Sequence, residues 1–127
     1  MYTAGNEINA VSRKIIGCAF TVINTLGAGF LEKIYENALA HEMRKHGLTV
    51  EQQRSVIIHY DGVIVGQYFP DMIVDDRVII ELKVVKSFDS SHKAQCMTYL
   101  KATGLKLALL LNFARPRLEI ERMANGL

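Results

Sequence analysis

The stretch Phe69-Pro70-Asp71-Met72-Ile73-Val74-Asp75-Asp76-Arg77-Val78-Ile79-Ile80-Glu81-Leu82-Lys83 decides how the chain is read. Two apolar, β-branched runs flank an Asp-Asp turn, which is the pattern of two adjacent strands. The second run, expected from Arg77 to Val85, is apolar on both faces, as a central strand should be. Inside it sit Glu81 and Lys83. Residues two apart on a strand share a face roughly 6–7 Å apart, so these two project together while Leu82 points into the opposite layer. A charged pair in so apolar a strand is costly without compensation.

Asp71 joins the pair only in one register. A strict two-residue turn sets Val74 against Arg77 and turns Asp71 to the wrong face. A three-residue loop, or a bulge near Pro70, sets Asp71 across from Glu81. Met72, Ile73 and Val74 are all apolar, so hydrophobic pattern does not choose, and the facing register is the one expected. A divalent ion such as Mg²⁺ then offers the compensation, since it takes carboxylate oxygens and leaves positions for water and phosphate. In phosphodiester chemistry Asp71 and Glu81 would hold Mg²⁺ or Mn²⁺, and Lys83 would orient the attacking water or offset the developing charge. Pairs like Glu81 and Lys83 also occur, merely solvated, on half-exposed strands.

Outward from this core, Ser55 to Tyr60 followed by Asp61-Gly62 predicts a strand and a tight hairpin turn. Val63 to Val74 reads as one returning strand, bent near Gly66 and Pro70. Upstream, Ile8, Val11, Ile15, Ala19, Val22 and Leu26 recur at helical spacing over Glu7 to Leu26, with Asn6 as N-cap. Ile8, Val11, Ile15, Cys18 and Val22 also resemble a short heptad seam, which leaves room for a dimerisation role. Gly27-Ala28-Gly29 breaks this helix. A second helix begins near Phe30 with Gly47 as its left-handed cap, and its first turn carries Glu32. Downstream, a helix capped within Ser87 to Ser91 runs to Thr103, and strands follow at Lys106 to Asn112 and Leu118 to Met123. On that third helix His92, Gln95 and Tyr99 form one polar stripe. Its residues suit water or phosphate positioning, and an ordinary exposed face would look the same.

At 127 residues, half of them apolar, the chain fits one domain, with a helical part over 6–47 and a sheet with its crossover helix over 48–124. No run approaches the length of a membrane span and no basic-then-apolar leader opens the sequence, so the expected location is the cytoplasm. Cys18 and Cys96 are expected as small buried hydrophobes and not as a disulfide. The net charge of +2 permits nucleic acid as a partner without demanding it. Lys86, Lys93, Lys101 and Lys106 fall in the second half and suit phosphate tracking no better than plain solvation.

In order, Pro70-Asp71, Glu81-Leu82-Lys83 and Gln95-x-x-x-Tyr99 resemble the PD-(D/E)XK nuclease superfamily, the last element resembling the QxxxY motif of its RecB-like branch. Gly27-Ala28-Gly29-Phe30-Leu31-Glu32-Lys33-Ile34-Tyr35, with Ala38-Leu39 and Gly47-Leu48, resembles the small GxxExxxR family. The resemblance implies an α/β fold with a restriction-endonuclease-like αβββαβ core, a mixed sheet flanked by helices, and Mg²⁺- or Mn²⁺-dependent cleavage of nucleic acid, most simply DNA. It makes Asp71 and Glu81 metal ligands, Lys83 the catalytic lysine and Glu32 an accessory ligand. Gln95 and Tyr99 complete the site. The family's arginine falls at position 36, which here is Glu36, and this puts a phosphate contact there in doubt. The main rival function is a non-catalytic nucleic-acid-binding or assembly subunit. A homodimer or a larger protein partner would suit a domain too small to cover much duplex.

Overall fold

The computed structural model describes residues 4–127, with side chains from Asn6 onward. Its elements are α1 (Ala4–Leu26), α2 (Glu32–Lys45), β1 (Val50–Gln52), β2 (Val56–Tyr60), β3 (Val63–Tyr68), β4 (Met72–Val74), β5 (Val78–Lys83), α3 (Ser90–Thr103), β6 (Leu107–Asn112) and β7 (Glu119–Ala124). Five strands form one mixed sheet in the order β1-β4-β5-β6-β7, and β2 and β3 form a separate two-stranded hairpin. β4 runs antiparallel to β5, α3 crosses over to bring β6 parallel to β5, and β7 returns antiparallel. Read from α2, the succession is the expected αβββαβ core, formed by α2, β1, β4, β5, α3 and β6, with the β2–β3 hairpin inserted after its first strand.

The period-2 rule sorts the sheet's side chains into two layers. Met72, Val74, Val78, Ile80, Leu82, Leu107, Leu109 and Leu111 pack against α1 and α2. Ile73, Ile79, Ala108 and Leu110 pack against Cys96, Tyr99 and Leu100 of α3 and against Val56 of the hairpin. β5 and β6 are covered on both faces, which is why their sequences are continuous apolar runs. Glu81 and Lys83 follow Ile79 on the α3 side. Both cysteines are buried and free.

Several sequence expectations are corrected. Asn6 lies inside α1, which already includes Ala4, so it is no N-cap. The seam of Ile8, Val11, Ile15, Cys18 and Val22 is spent inside the core and is not available to a partner helix. α2 starts at Glu32 and not at Phe30, because Tyr35 reaches back over the loop. Its buried hydroxyl donates to the Gly27 carbonyl (2.6 Å) and accepts from the Phe30 amide (3.1 Å), while its ring stacks on Phe113 at 4.9 Å. Gly29, at φ +112°, makes that reversal where a side chain would be strained.

β1 was not anticipated. It is three residues long, too short to display a period. The single returning strand is in fact two. Pro70 has no N–H for a ladder, and at Phe69-Pro70-Asp71 the chain leaves the hairpin and enters the main sheet as β4. β5 ends at Lys83 and not at Val85, because the Asn112 side chain takes over there, accepting from the Val85 amide and donating to its carbonyl. Among the described residues no helix is long and apolar enough to cross a membrane.

Candidate functional site

The β4–β5 connection is a three-residue loop, Asp75-Asp76-Arg77, so that Val74 pairs with Val78 and Met72 with Ile80. Both aspartates adopt left-handed φ, at +51° and +55°. Asp75 is fastened to Thr49 twice, through its amide (2.8 Å) and through Oδ1 (2.8 Å), and Asp76 accepts from Arg54 at 3.0 Å. This is the facing register. One step past Met72 and Ile80, Asp71 stands opposite Glu81.

The ladder does not continue through that pair; the side chains replace it. The Asp71 amide donates to Oε1 of Glu81 at 2.7 Å, and the Leu82 amide donates to Oδ2 of Asp71 at 2.9 Å. Each carboxylate thus satisfies a strand N–H beside the other. The clasp holds both acids in fixed geometry on adjoining strands, at the edge of the core.

Holding two acids so close has an electrostatic cost. Glu81 is only 4% exposed, and burial, followed by the charge of Asp71, pushes its carboxyl up to about 8. Asp71 is raised as well, again by burial first and then by Glu36, with the Leu82 and Gln53 hydrogen bonds and Lys83 working against the rise. Glu32, in the first turn of α2, is raised by desolvation and then by Asp71. Its field reaches Asp71, Glu81, Lys83 and Glu36, so α2 brings a third acid to the same end of the sheet. Lys83 lowers all three carboxyls yet makes no ion pair within 4 Å among the described residues. It remains a nearby, uncommitted cation.

On α3, Tyr99 is buried against Tyr68, with ring centroids 5.7 Å apart. Burial, then the charges of Glu81 and Asp71, push its phenol upward, so it stays a protonated donor near the acids. Gln95 is exposed one turn earlier, and no hydrogen bond ties it to the acids. His92 serves its own helix, where its Nδ1 accepts from the Asp89 amide (3.2 Å) and completes the capping box of α3.

Sequence reasoning missed the support behind Asp71. Glu36, noticed only as a departure from the family's arginine, is 3% exposed. Its Oε2 accepts from Lys33 (3.0 Å) and Gln52 (2.7 Å), and its Oε1 from Gln53 (3.3 Å). The same Gln53 amide nitrogen donates to Oδ1 of Asp71 at 3.3 Å, and the Gln53 backbone N–H donates to the Asp71 carbonyl at 3.0 Å. Gln53 holds φ +56°, uncommon for a residue with a side chain. Glu36 is a buried acid that anchors an amide bridge to Asp71. The signal available beforehand was the Gln52-Gln53 pair after a β-branched start, which is too ordinary to read.

Among the described residues no three His, Cys, Asp or Glu side chains converge as a ready-made cage. The donor set suits a hard ion all the same. Mg²⁺ characteristically takes one or two carboxylates and fills its remaining positions with water and phosphate oxygens. Asp71 and Glu81 are such a pair, and their upward shifts mark a site that favours added positive charge, as a proton or as a cation.

Two outcomes follow from this chemistry. The folded protein binds the Glu81 proton more tightly than the unfolded chain, whose glutamate titrates near 4.5. The stabilisation is therefore complete below that pH and is lost as pH rises toward 8. Denaturant unfolding in EDTA should show the wild-type-minus-Glu81→Gln stability difference falling steadily between those limits. A flat difference would contradict the burial of this acid. Second, Gln53→Gly relieves the left-handed φ and removes the amide bridge. Loss of the donor to the buried Glu36 oxygen costs about 1–3 kcal/mol, offset in part by the relaxed φ, so stability should fall modestly, while Mn²⁺ affinity by titration calorimetry drops about 10–100-fold, as losses of such supporting partners do. Unchanged affinity would relieve Gln53 of any part in the site.

A family model for the PD-(D/E)XK nuclease superfamily matches residues 9–123. No curated protein matches the chain. Among solved proteins, the crystal structure of SSO0001 is similar in fold, with a TM-score of 0.59 at 19% identity over 75% of this chain and 50% of that one. The chain thus spans about half the length of that protein. With the family match covering nearly all of the core, the chain belongs to the PD-(D/E)XK nuclease superfamily.

Proposed function

We propose that the protein is a metal-dependent nuclease that hydrolyses phosphodiester bonds in DNA, with RNA as the other candidate substrate. The observation that carries this reading is the Asp71–Glu81 clasp with Lys83 beside it on the same face. Asp71 and Glu81 are the ligands for Mg²⁺ or Mn²⁺, with Glu32 as an accessory carboxylate. When bound, such an ion supplies Lewis-acid polarisation of a phosphate and a water of lowered pKa. The chain's own part is positional. Lys83, with no carboxylate partner within 4 Å among the described residues, points its ammonium to where charge builds on the phosphate and orients the attacking water. Tyr99, kept protonated by its surroundings, is a hydrogen-bond donor at the same face, and Gln95 extends that edge toward solvent. Glu36 and Gln53 keep Asp71 aimed.

The narrower placement, in the GxxExxxR family and the RecB-like QxxxY branch, rests on Gly29 with Glu32 and on Gln95 with Tyr99, and we carry it as part of the same proposal. Glu36 in the arginine position means that a phosphate contact from α2 is not part of it. One observation favours a second reading, a non-catalytic nucleic-acid-binding or assembly subunit: among the described residues no third acid or histidine completes a cage around the clasp.

The two readings separate in one assay. Purified protein and Lys83→Ala are incubated with plasmid and with single-stranded DNA and RNA, in Mg²⁺, Mn²⁺ or EDTA. The nuclease reading expects cleavage that EDTA abolishes and that falls about 10²–10³-fold in the variant. No cleavage of any substrate by the wild type, with nucleic acid still bound, would support the subunit reading. Cleavage that persists in EDTA or in Lys83→Ala would overturn the assignment of this site.

A further inference from the structure

A groove runs between the β2–β3 hairpin and α3. β2 rests on α3 through Val56 and Ile58, and Tyr68 of β3, the ladder partner of Val56, faces the same way. Beyond these contacts the two elements part to enclose about 420 Å³, with Ile58, His59 and Tyr68 on one wall and Thr98, Lys101 and Ala102 on the other. Tyr68 ties this groove to the candidate site. Its ring meets that of Tyr99 at 67°, and Tyr99 lies in the field of both Glu81 and Asp71. Asp71 follows Tyr68 by three residues, a span of at most about 11 Å. Along α3, Gln95, Thr98 and Ala102 fall at i, i+3 and i+7 on one face, so the wall continues toward the helix end where His92 acts on Glu32.

We propose that this groove carries one unpaired nucleic-acid strand to the clasp, with a base stacked on Tyr68 and a phosphate held by Lys101. The inference rests on the reading of the site as one for nucleic acid, and it narrows the substrate to single strands of DNA or RNA.

Three observations select this occupant. The first is the aromatic face. Single strands are held by rings on which bases stack, beside cations that track the backbone. Tyr68 is 40% exposed while packed on Tyr99, so its ring is both accessible and held in place. Gly66 shares its face of the hairpin, and a Cβ there would meet nothing within 4 Å, so the wall beside the ring is open. The second is charge. Among the described residues no Asp or Glu lines the groove, and Lys101 has no carboxylate within 4 Å. Lys93, by contrast, is spent on Glu121 at 3.1 Å. The third is size. The enclosed volume is that of a small-ligand cleft, and the hairpin closes onto α3 at its floor through Val56 and Ile58. Nucleotides of one strand enter such a space, and a paired helix does not.

The test measures binding without turnover. Fluorescence anisotropy in EDTA compares labelled single strands of DNA and RNA with the matching duplex, for the wild-type chain, Tyr68→Ala, Tyr68→Phe and Lys101→Ala. Single strands should bind more tightly than duplex. Tyr68→Ala should weaken single-strand binding at least about 5-fold, and Tyr68→Phe, which keeps the ring, should not. Lys101→Ala should flatten the slope of log affinity against log salt by about 0.7, the share of one phosphate contact on a single strand. Duplex bound as tightly as single strands, no binding of either, wild-type affinity in Tyr68→Ala or an unchanged salt slope in Lys101→Ala would each overturn the proposal. Cleavage in Mg²⁺ or Mn²⁺ is scored separately: a protein that binds strands through the groove and cuts none keeps this inference and loses the hydrolytic one. Melting checks the fold of Tyr68→Ala, and were it unfolded the exposed Lys101 variant decides alone.

Discussion

Two acids on neighbouring strands, each receiving a backbone N–H beside the other, set the conditions under which the rest of this structure works. The clasp between Asp71 and Glu81 ends the β4–β5 ladder without leaving strand donors unpaired. It also brings like charges together at the rim of an apolar core, where both carboxyls resist ionisation. A fold that only needed to finish a strand pair could do so with neutral side chains. This one keeps a configuration in which burial raises both carboxyls, with the charges of Lys83 and Glu32 acting on the same pair.

The surrounding architecture supplies the fixity. The three-residue Asp75-Asp76-Arg77 loop sets the register, and its attachment to Thr49 and Arg54 holds that loop against β1. Register matters here because a slip of one residue would send Asp71 to the opposite layer while leaving the apolar residues of β4 equally content. Behind Asp71, the buried Glu36 accepts from three donors and passes its influence through Gln53. That buried acid, tied to Asp71 through one glutamine, is a support for a carboxylate and not a surface charge.

Legibility from sequence followed periodicity closely. α1, β5 and β6 carry long enough patterns to be read, α3 was read from the capping residues before it, and the Asp61-Gly62 turn falls where its chemistry places it. β1 has three residues and no pattern. The division between β3 and β4 was hidden because Val63 to Val74 is apolar nearly throughout, and hydrophobicity alone does not tell a buried strand from an exposed one. The acids and the lysine were visible as residue types, and the facing register was inferred on chemical grounds. The reciprocal backbone hydrogen bonds, the left-handed Gln53 and the part played by Glu36 depend on side-chain reach across distant segments, which no local window contains. His92 illustrates the converse: its place on the polar stripe suggested the site, and its nearest demand was the N-terminus of its own helix.

The central claim is that the clasp is a binding place for a divalent ion, and locating that ion tests it most directly. Crystals grown in millimolar Mn²⁺ and measured at the manganese absorption edge would show it by anomalous scattering. The account predicts a peak within about 2.0–2.6 Å of one oxygen each from Asp71 and Glu81, an oxygen-ligand distance for a hard cation. A map with no peak between those carboxylates, or with its strongest peak on other residues, would contradict it.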